Sequence, residues 1–164
     1  MPAKHKITTF LWFDGNAEEA INHYISIFKN SKVTNLHRMG NGPVMTATFE
    51  LEGQQFMALN GGPQYKFTEA ISLFVNCETQ EEVDELWAKL TAGGSEGRCG
   101  WLKDKFGVSW QIIPSALGGV LGGPDPAGAK RAVEAMLQMK KIDIRRLEER
   151  TGENNRPQMK RTRV

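Results

Sequence analysis

Cysteine is scarce, with only Cys77 and Cys99 in 164 residues. Two cysteines cannot make a disulfide framework, so a reducing cytoplasm is the expected home. Nor can they hold a zinc ion unless His5, His23 or His37 supplies further ligands. Long apolar runs are missing too: none approaches the roughly 18 residues of a membrane-crossing helix, so no membrane partner is expected. Met1 to Lys6 is polar and leads straight into a strand-like run, so no signal peptide is expected. A charge of one sign is also lacking, with 21 basic residues against 19 acidic ones. What remains is 40% hydrophobic and 24% charged, the balance of a globular chain and not of a disordered one.

The near-neutral total conceals an asymmetry. From Lys140 to Val164 there are nine basic and four acidic side chains, so this segment carries +5 and the rest −3. Arg156, Lys160, Arg161 and Arg163 form a basic tail. No nucleic-acid-binding motif accompanies it, so a solvated, fraying terminus over 152–164 is expected and no nucleic-acid partner.

The chain contains a duplication. Ile7 to Asp14 followed by Glu18 to Tyr24 matches Ala70 to Cys77 followed by Glu81 to Trp87, at a constant offset of 63. Further on, Gly53 to Ala58 matches Gly107 to Ile112 at an offset of 54. The difference implies a shortened loop in the second copy, with Met39 to Pro43 the place of the extra length in the first. Each copy opens on a bulky apolar strand, Ile7 to Phe13 and Ala70 to Val75. A helix follows, Ala17 to Phe28 and Gln80 to Thr91, with apolar residues recurring at three and four. Val33 to Arg38, Val44 to Leu51 and Gln55 to Asn60 then read as strands. Glu96 to Leu102 and Val108 to Pro114 are their counterparts, with one strand poorly marked around Cys99. The unit is βαβββ, twice, over residues 6–60 and 67–114, and the fold class is α+β.

A helical extension over 115–151 is expected to follow. Asp125 is placed to cap a helix beginning at Pro126, with Ala129, Val133, Met136 and Leu137 as its apolar face. A second short helix carries Ile144 and Leu147. These helices offer more apolar surface than a lone extension needs, and are expected to clasp a second copy of the chain. Gly118, Gly119, Gly122 and Gly123 fit neither a dinucleotide nor a Walker loop and read as a flexible link.

Phe10 to Gly15, Ala58 to Pro63, Val75-Asn76-Cys77, Cys99 to Asp104, Gly107 to Pro114 and Met136 to Met139 resemble a particular family. It is the PhnB-like branch, labelled 3-demethylubiquinone methyltransferase, of the vicinal oxygen chelate (glyoxalase/bleomycin-resistance/dioxygenase) superfamily. The resemblance covers residues 6 to about 150. It implies a pair of half-barrels around a small-molecule cavity over 6–114, and a homodimer. It also implies divalent-metal ligands on the first and last strands of each unit, which fall on Ile7, Ala70, Met57 and Gln111. Ile, Ala and Met supply no hard ligand, so no metal is expected. S-Adenosylmethionine is a cofactor only if the family label describes the activity; otherwise none is expected.

Strand alternation then sorts the faces. With Gln111 in the cavity, Ser109, Ile113, Met57 and Leu59 join it, with Thr9, Leu11 and Phe13 and with Ala70, Ser72 and Phe74. Trp110, Phe56, Phe10 and Leu73 turn the other way. The expected ligand-binding residues are Thr9, Met57, Asn60, Ser72, Trp101 and Gln111. They suit a largely apolar organic molecule oriented by a few hydrogen bonds. Asn60 has turn formation as a competing role, and Trp101 has plain core packing. Cys99 lacks a histidine to activate it, Asp104 reads as part of a solvated hairpin turn, and no acid–base pair emerges, so no catalytic residue is assigned. The alternatives are a quinol methyltransferase and a metal-dependent lyase or dioxygenase.

Overall fold

The structure is a computed structural model and describes residues 4–152. The expected tail lies outside them, except for Gly152. The chain divides into two compact units, the first running to Glu69 and the second beginning at Ala70.

In unit 1, β1 (Thr9–Phe13) is followed by α1 (Ala17–Ile27), β2 (Lys32–Arg38), β3 (Val44–Leu51) and β4 (Gln54–Asn60). The sheet order is β1-β4-β3-β2, with β1 parallel to β4 and the other pairs antiparallel. The alternation in β3 has a plain cause. Ala47, Phe49 and Leu51 are buried, while Thr46, Thr48 and Glu50 between them look the other way. Glu52 and Gly53 both have positive φ, 50° and 78°, as the two-residue hairpin between β3 and β4 requires. Asn16 supplies no side-chain cap to α1. The cap comes from the sheet instead: Asn60 Oδ1 accepts from Ala17 N at 2.9 Å, and its Nδ2 donates to Val44 O at 2.8 Å. Glu18 and Glu19 in the first turn complement the positive end of the helix.

Unit 2 repeats the plan with β5 (Leu73–Cys77), α2 (Gln80–Thr91), β6 (Ser95–Glu96), β7 (Trp101–Lys103) and β8 (Ser109–Pro114), in the order β5-β8-β7-β6. Again the first and last strands are parallel. Thr79 Oγ1 accepts from Glu82 N, and Glu82 Oε2 accepts from Glu78 N, so the start of α2 is satisfied reciprocally. Two four-stranded mixed sheets with their helices make the fold α+β, as the repeats predict.

The extension holds three helices: α3 (Leu117–Leu121), α4 (Pro126–Gln138) and α5 (Ile144–Gly152). Asp125 caps α4 as expected, accepting from Ala127 N and Gly128 N, with Pro126 at the first turn. Three expectations change here. Gly118 and Gly119 lie within α3, not in a flexible link. The buried side of α4 centres on Gly128 and Ala132, leaving Leu137 49% exposed. The expected clasp also finds most of its apolar side chains already used. Leu147 is buried with Ile113, Leu117, Met139 and Ile142, and Met136 and Ile144 pack against that cluster.

The extension is tied down by polar contacts as well. Cys99 N and Gly100 N donate to Met139 O and Lys140 O, both at 2.8 Å. The Gln80 amide donates to Ile142 O and accepts from Ile144 N. Lys141 pairs with Asp84 at 2.6 Å and holds its carboxyl below the ordinary carboxylate range. Glu96 is shifted the same way, chiefly by the Trp87 indole N–H and then by Lys140.

Cys77 ends β5 with no exposed surface. Burial, assisted by nearby Glu82 and opposed by a hydrogen bond with the Ile113 backbone, raises its pKa to about 12. An unfolded thiol ionises near 9, so the unfolded chain loses this proton first. The Cys77 contribution to stability is therefore intact below pH 9 and is lost as pH rises from there towards 12. With a maleimide at pH 8, the native protein is expected to label at half-buried Cys99 and to reach Cys77 only after denaturation. Equal labelling of both in the native state would contradict this burial.

Candidate functional site

Residues paired in register across a sheet share a face. In unit 2, Gln111 on β8 lies opposite Phe74 on β5 and Trp101 on β7, so the three form one row. Strands lie about 4.8 Å apart, which puts the two aromatics roughly 10 Å apart with the amide between them. Ser72 stands two residues before Phe74, on the same face. Gln111 Nε2 donates to Ser72 Oγ at 2.9 Å. Ser109 belongs to this face by alternation and lies opposite Lys103. It is 2% exposed, and its hydroxyl has no hydrogen-bond partner among the described residues. Phe74 is 54% exposed.

The other face of this sheet belongs to α2. Leu102, Trp110 and Ile112 are buried there, as are Val83, Leu86, Trp87 and Leu90 of the helix. At one end the Gln111 face is also covered, because Ile113 sits in the cluster made with the extension. The Ile113 end of this face is therefore closed, while Ser72, Gln111 and Trp101 are each only half-buried.

Unit 1 corrects the strand phase. Phe10 lies opposite Met57 and Trp12 opposite Leu59, while Thr9, Leu11 and Phe13 lie opposite Phe56, Ala58 and Asn60. The buried, helix-facing side thus carries Leu11, Phe13, Phe56 and Ala58. Phe10 belongs with Met57 on the open side, and is 49% exposed. The cause is a single residue. From the last position of the first strand to the first of the helix, unit 1 runs from Phe13 to Ala17 and unit 2 from Cys77 to Gln80. The helices keep the offset of 63, but Phe10 opposite Met57 corresponds to Phe74 opposite Gln111, so the first strands are offset by 64. On that register Ile7 corresponds to Ile71 and not to Ala70.

Of the six expected site residues, the structure brings Ser72, Trp101 and Gln111 together in unit 2. Met57 lies on the open face of unit 1, half-buried. Thr9 is on the α1 side of that sheet, exposed at its end. Asn60 is also on the α1 side, with both ends of its amide used on backbone. Thr8, Phe10 and Gln55 escaped the sequence reading, and the Phe10–Phe74 correspondence is the signal that finds them. Gln55 Nε2 donates to Thr8 Oγ1 at 3.1 Å, so unit 1 has its own amide–hydroxyl pair.

Asp104 is not in a solvated turn. It is 3% exposed, accepting from Phe106 N and Val108 N through Oδ1 and from Trp110 Nε1 through Oδ2. Among the described residues no three His, Cys, Asp or Glu side chains gather closely enough to hold a metal ion. No described helix is long and apolar enough to cross a membrane.

A family model described as 3-demethylubiquinone-9 3-methyltransferase matches residues 5–113, which leaves α3, α4 and α5 outside it. A solved PhnB protein of Bacillus cereus, carrying the same methyltransferase label, is 43% identical. The match covers 68% of this chain and all of that one, with a TM-score of 0.64. Protein PA1353 of Pseudomonas aeruginosa is 22% identical over 68% of this chain and 98% of its own, with a TM-score of 0.59, a likeness of fold. The fosfomycin resistance protein FosX of Listeria monocytogenes, solved with Mn(II) and sulfate, is 12% identical over 66% and 87%, with a TM-score of 0.47. No curated protein matches the chain.

Proposed function

This chain belongs to the family described as 3-demethylubiquinone-9 3-methyltransferase, and from that membership and the unit 2 face we infer that it binds a small, largely apolar organic molecule there. The observation that carries the reading is the row Phe74–Gln111–Trp101 with Ser72 beside it. Gln111 spends one N–H on Ser72 and keeps Oε1 as an acceptor, while the Ser72 hydroxyl keeps its own proton to donate. A neutral ring bearing a carbonyl or hydroxyl fits such a row, with the two aromatics taking its faces or edges.

The family label names a demethylubiquinone as methyl acceptor, and a quinone ring has the required carbonyls and planarity. Methyl transfer needs a donor site as well. Each described sheet has one parallel pair and two antiparallel pairs, not the parallel sheet with a glycine-rich loop that a methyl-donor fold of that kind uses. Binding, or a reaction needing neither donor nor metal, is the reading the residues favour, in a cytoplasmic homodimer.

The test titrates the water-soluble quinone 2,3-dimethoxy-5-methyl-1,4-benzoquinone, read by calorimetry. Gln111→Ala is expected to weaken binding about tenfold, the worth of one hydrogen bond at roughly 1.4 kcal/mol. Thr9→Ala is expected to leave it unchanged. Equal affinity in the Gln111 variant and the parent sinks the proposal. A parallel titration with S-adenosylmethionine that shows saturable binding moves the reading to methyl transfer.

A further inference from the structure

The helical extension has a polar side that its packing leaves open. Ile144 and Leu147 turn α5 towards Ile113, and Gly128 and Ala132 form the buried side of α4. The two helices run antiparallel, because Arg131 near the start of α4 donates to Arg150 O and Thr151 O at the end of α5. Both helices line a cleft of about 640 Å³. Arg131, Glu134, Ala135 and Gln138 line it from α4, spaced at three and four as one helical stripe. Arg146, Glu149 and Arg150 do so from α5, and Lys140 and Lys141 from the link between the helices. Five of these side chains are basic and two acidic, which makes +3. Each acid has a base outside the cleft, Lys130 for Glu134 and Arg145 for Glu149. Asp84 holds Lys141, while two carbonyls and Asp125 hold Arg131. Lys140 is 64% exposed and 3.3 Å from a Glu96 that is itself 45% exposed, a pair that exchanges for another anion at little cost. Among the described residues the Arg146 side chain has no partner.

We propose that this cleft docks the phosphate backbone of a nucleic-acid duplex, without regard to base sequence. The basic tail by itself does not point to such a partner, but a folded basic cleft at its root does. The chain leaves α5 at Gly152, two residues past Arg150, and residues 153–164 add four basic side chains against one acidic. A long polyanion meets cleft and tail together, whereas a single phosphate leaves the tail unused. Residues 1–139 carry −3, so the attraction is concentrated at this end of the chain. No aromatic residue follows Trp110, so neither cleft nor tail has the stacking platform that holds a single strand. Phosphate contacts remain, and these position a duplex without reading its bases. The family model stops at residue 113, so the cleft lies in the part of the chain outside that match.

The test is fluorescence anisotropy of a short labelled DNA duplex of mixed sequence, titrated with the full chain. Saturable binding is expected, with log affinity falling against log salt at a slope of roughly −4. Lys140→Gln together with Arg146→Gln is expected to weaken binding about tenfold and to flatten that slope by roughly 2. Both side chains are exposed, so thermal unfolding of this variant is expected to match the parent. Lys29→Gln together with Lys32→Gln removes the same charge from exposed positions of unit 1, and is expected to change affinity less than twofold. Changing Arg156, Lys160, Arg161 and Arg163 to Gln in the full chain is expected to weaken binding about tenfold as well. Equal losses in the cleft and unit 1 variants mean general attraction of a polyanion and overturn the proposal. A loss in the tail variant with none in the cleft variant means that the tail acts alone, and overturns it too. Phosphatidylglycerol vesicles are titrated at the same salt, and binding to them with none to the duplex overturns it in favour of a membrane surface. An absence of saturable duplex binding does the same. None of these outcomes depends on the quinone titration.

Discussion

Replacing Asp104 with alanine is expected to cost about 4 kcal/mol of unfolding free energy. The carboxylate is 3% exposed and accepts three hydrogen bonds, from Phe106 N at 2.9 Å, Val108 N at 3.0 Å and Trp110 Nε1 at 2.8 Å. The bonds from Val108 and Trp110 are buried, so alanine strands two donors away from water at about 1–3 kcal/mol each. The backbone bonds of the turn between β7 and β8, Asp104 N to Val108 O and Gly107 N to Asp104 O, survive the change, but the turn loses the carboxylate that satisfies Phe106 N and Val108 N. Asp104→Asn keeps one acceptor and is expected to lose about half as much. Urea denaturation followed by tryptophan fluorescence measures both, and a loss below about 1 kcal/mol for alanine would show that the network is dispensable. Trp110 precedes Gln111 on β8, so the same variant is expected to weaken quinone binding by loosening the strand that carries the site.

Gly100→Ala is expected to cost about 3 kcal/mol, and to act first on the extension. Gly100 has φ +81°, and a Cβ there would stand 2.7 Å from Ile113 Cδ1 and 2.9 Å from Ile112 O. A left-handed backbone costs an L-residue roughly 1–2 kcal/mol, and overpacking adds about 1–3 kcal/mol. The carbonyl is part of β8 and cannot step aside, so the displaced chain is the one through Cys99 and Gly100 whose N–H groups bond Met139 O and Lys140 O. Limited proteolysis is expected to cut this variant between α3 and α5 while residues 4–114 resist. Gly119→Ala supplies the contrast. Its Cβ would meet nothing within 4 Å, and it lies within α3, so this change is expected to be neutral or to stabilise by up to about 1 kcal/mol. Equal stability of the two variants would contradict the role given to Gly100.

The duplication was legible because each element repeats an apolar period, and a period survives any change in loop length. Strand phase did not survive. A constant offset carries the helix register into the strand and puts Thr9 beside Met57; with one residue fewer between β5 and α2 the strands correspond at 64, and it is Phe10 that shares the face of Met57. In a strand a slip of one residue exchanges the faces completely, whereas in a helix it turns the pattern by about a third of a turn. Asn60 was misread for a related reason. Its amide is used on Ala17 N and Val44 O, partners 43 and 16 residues away that no local pattern announces.

Asp104 shows the limit most plainly. Nothing in Lys103-Asp104-Lys105 distinguishes a carboxylate in water from one beneath an indole, since that depends on which way Trp110 turns once β8 is paired. Sequence alone settled the βαβββ repeat, the family and the Asp125 cap, because each rests on spacing within one element or on residue identity. Tertiary structure decided which side of β1 is open, which hydroxyls and amides are already used, and that the apolar helices of the extension are spent on Ile113. Those are properties of pairing between distant segments, and pairing is where one inserted residue or one buried partner changes the outcome.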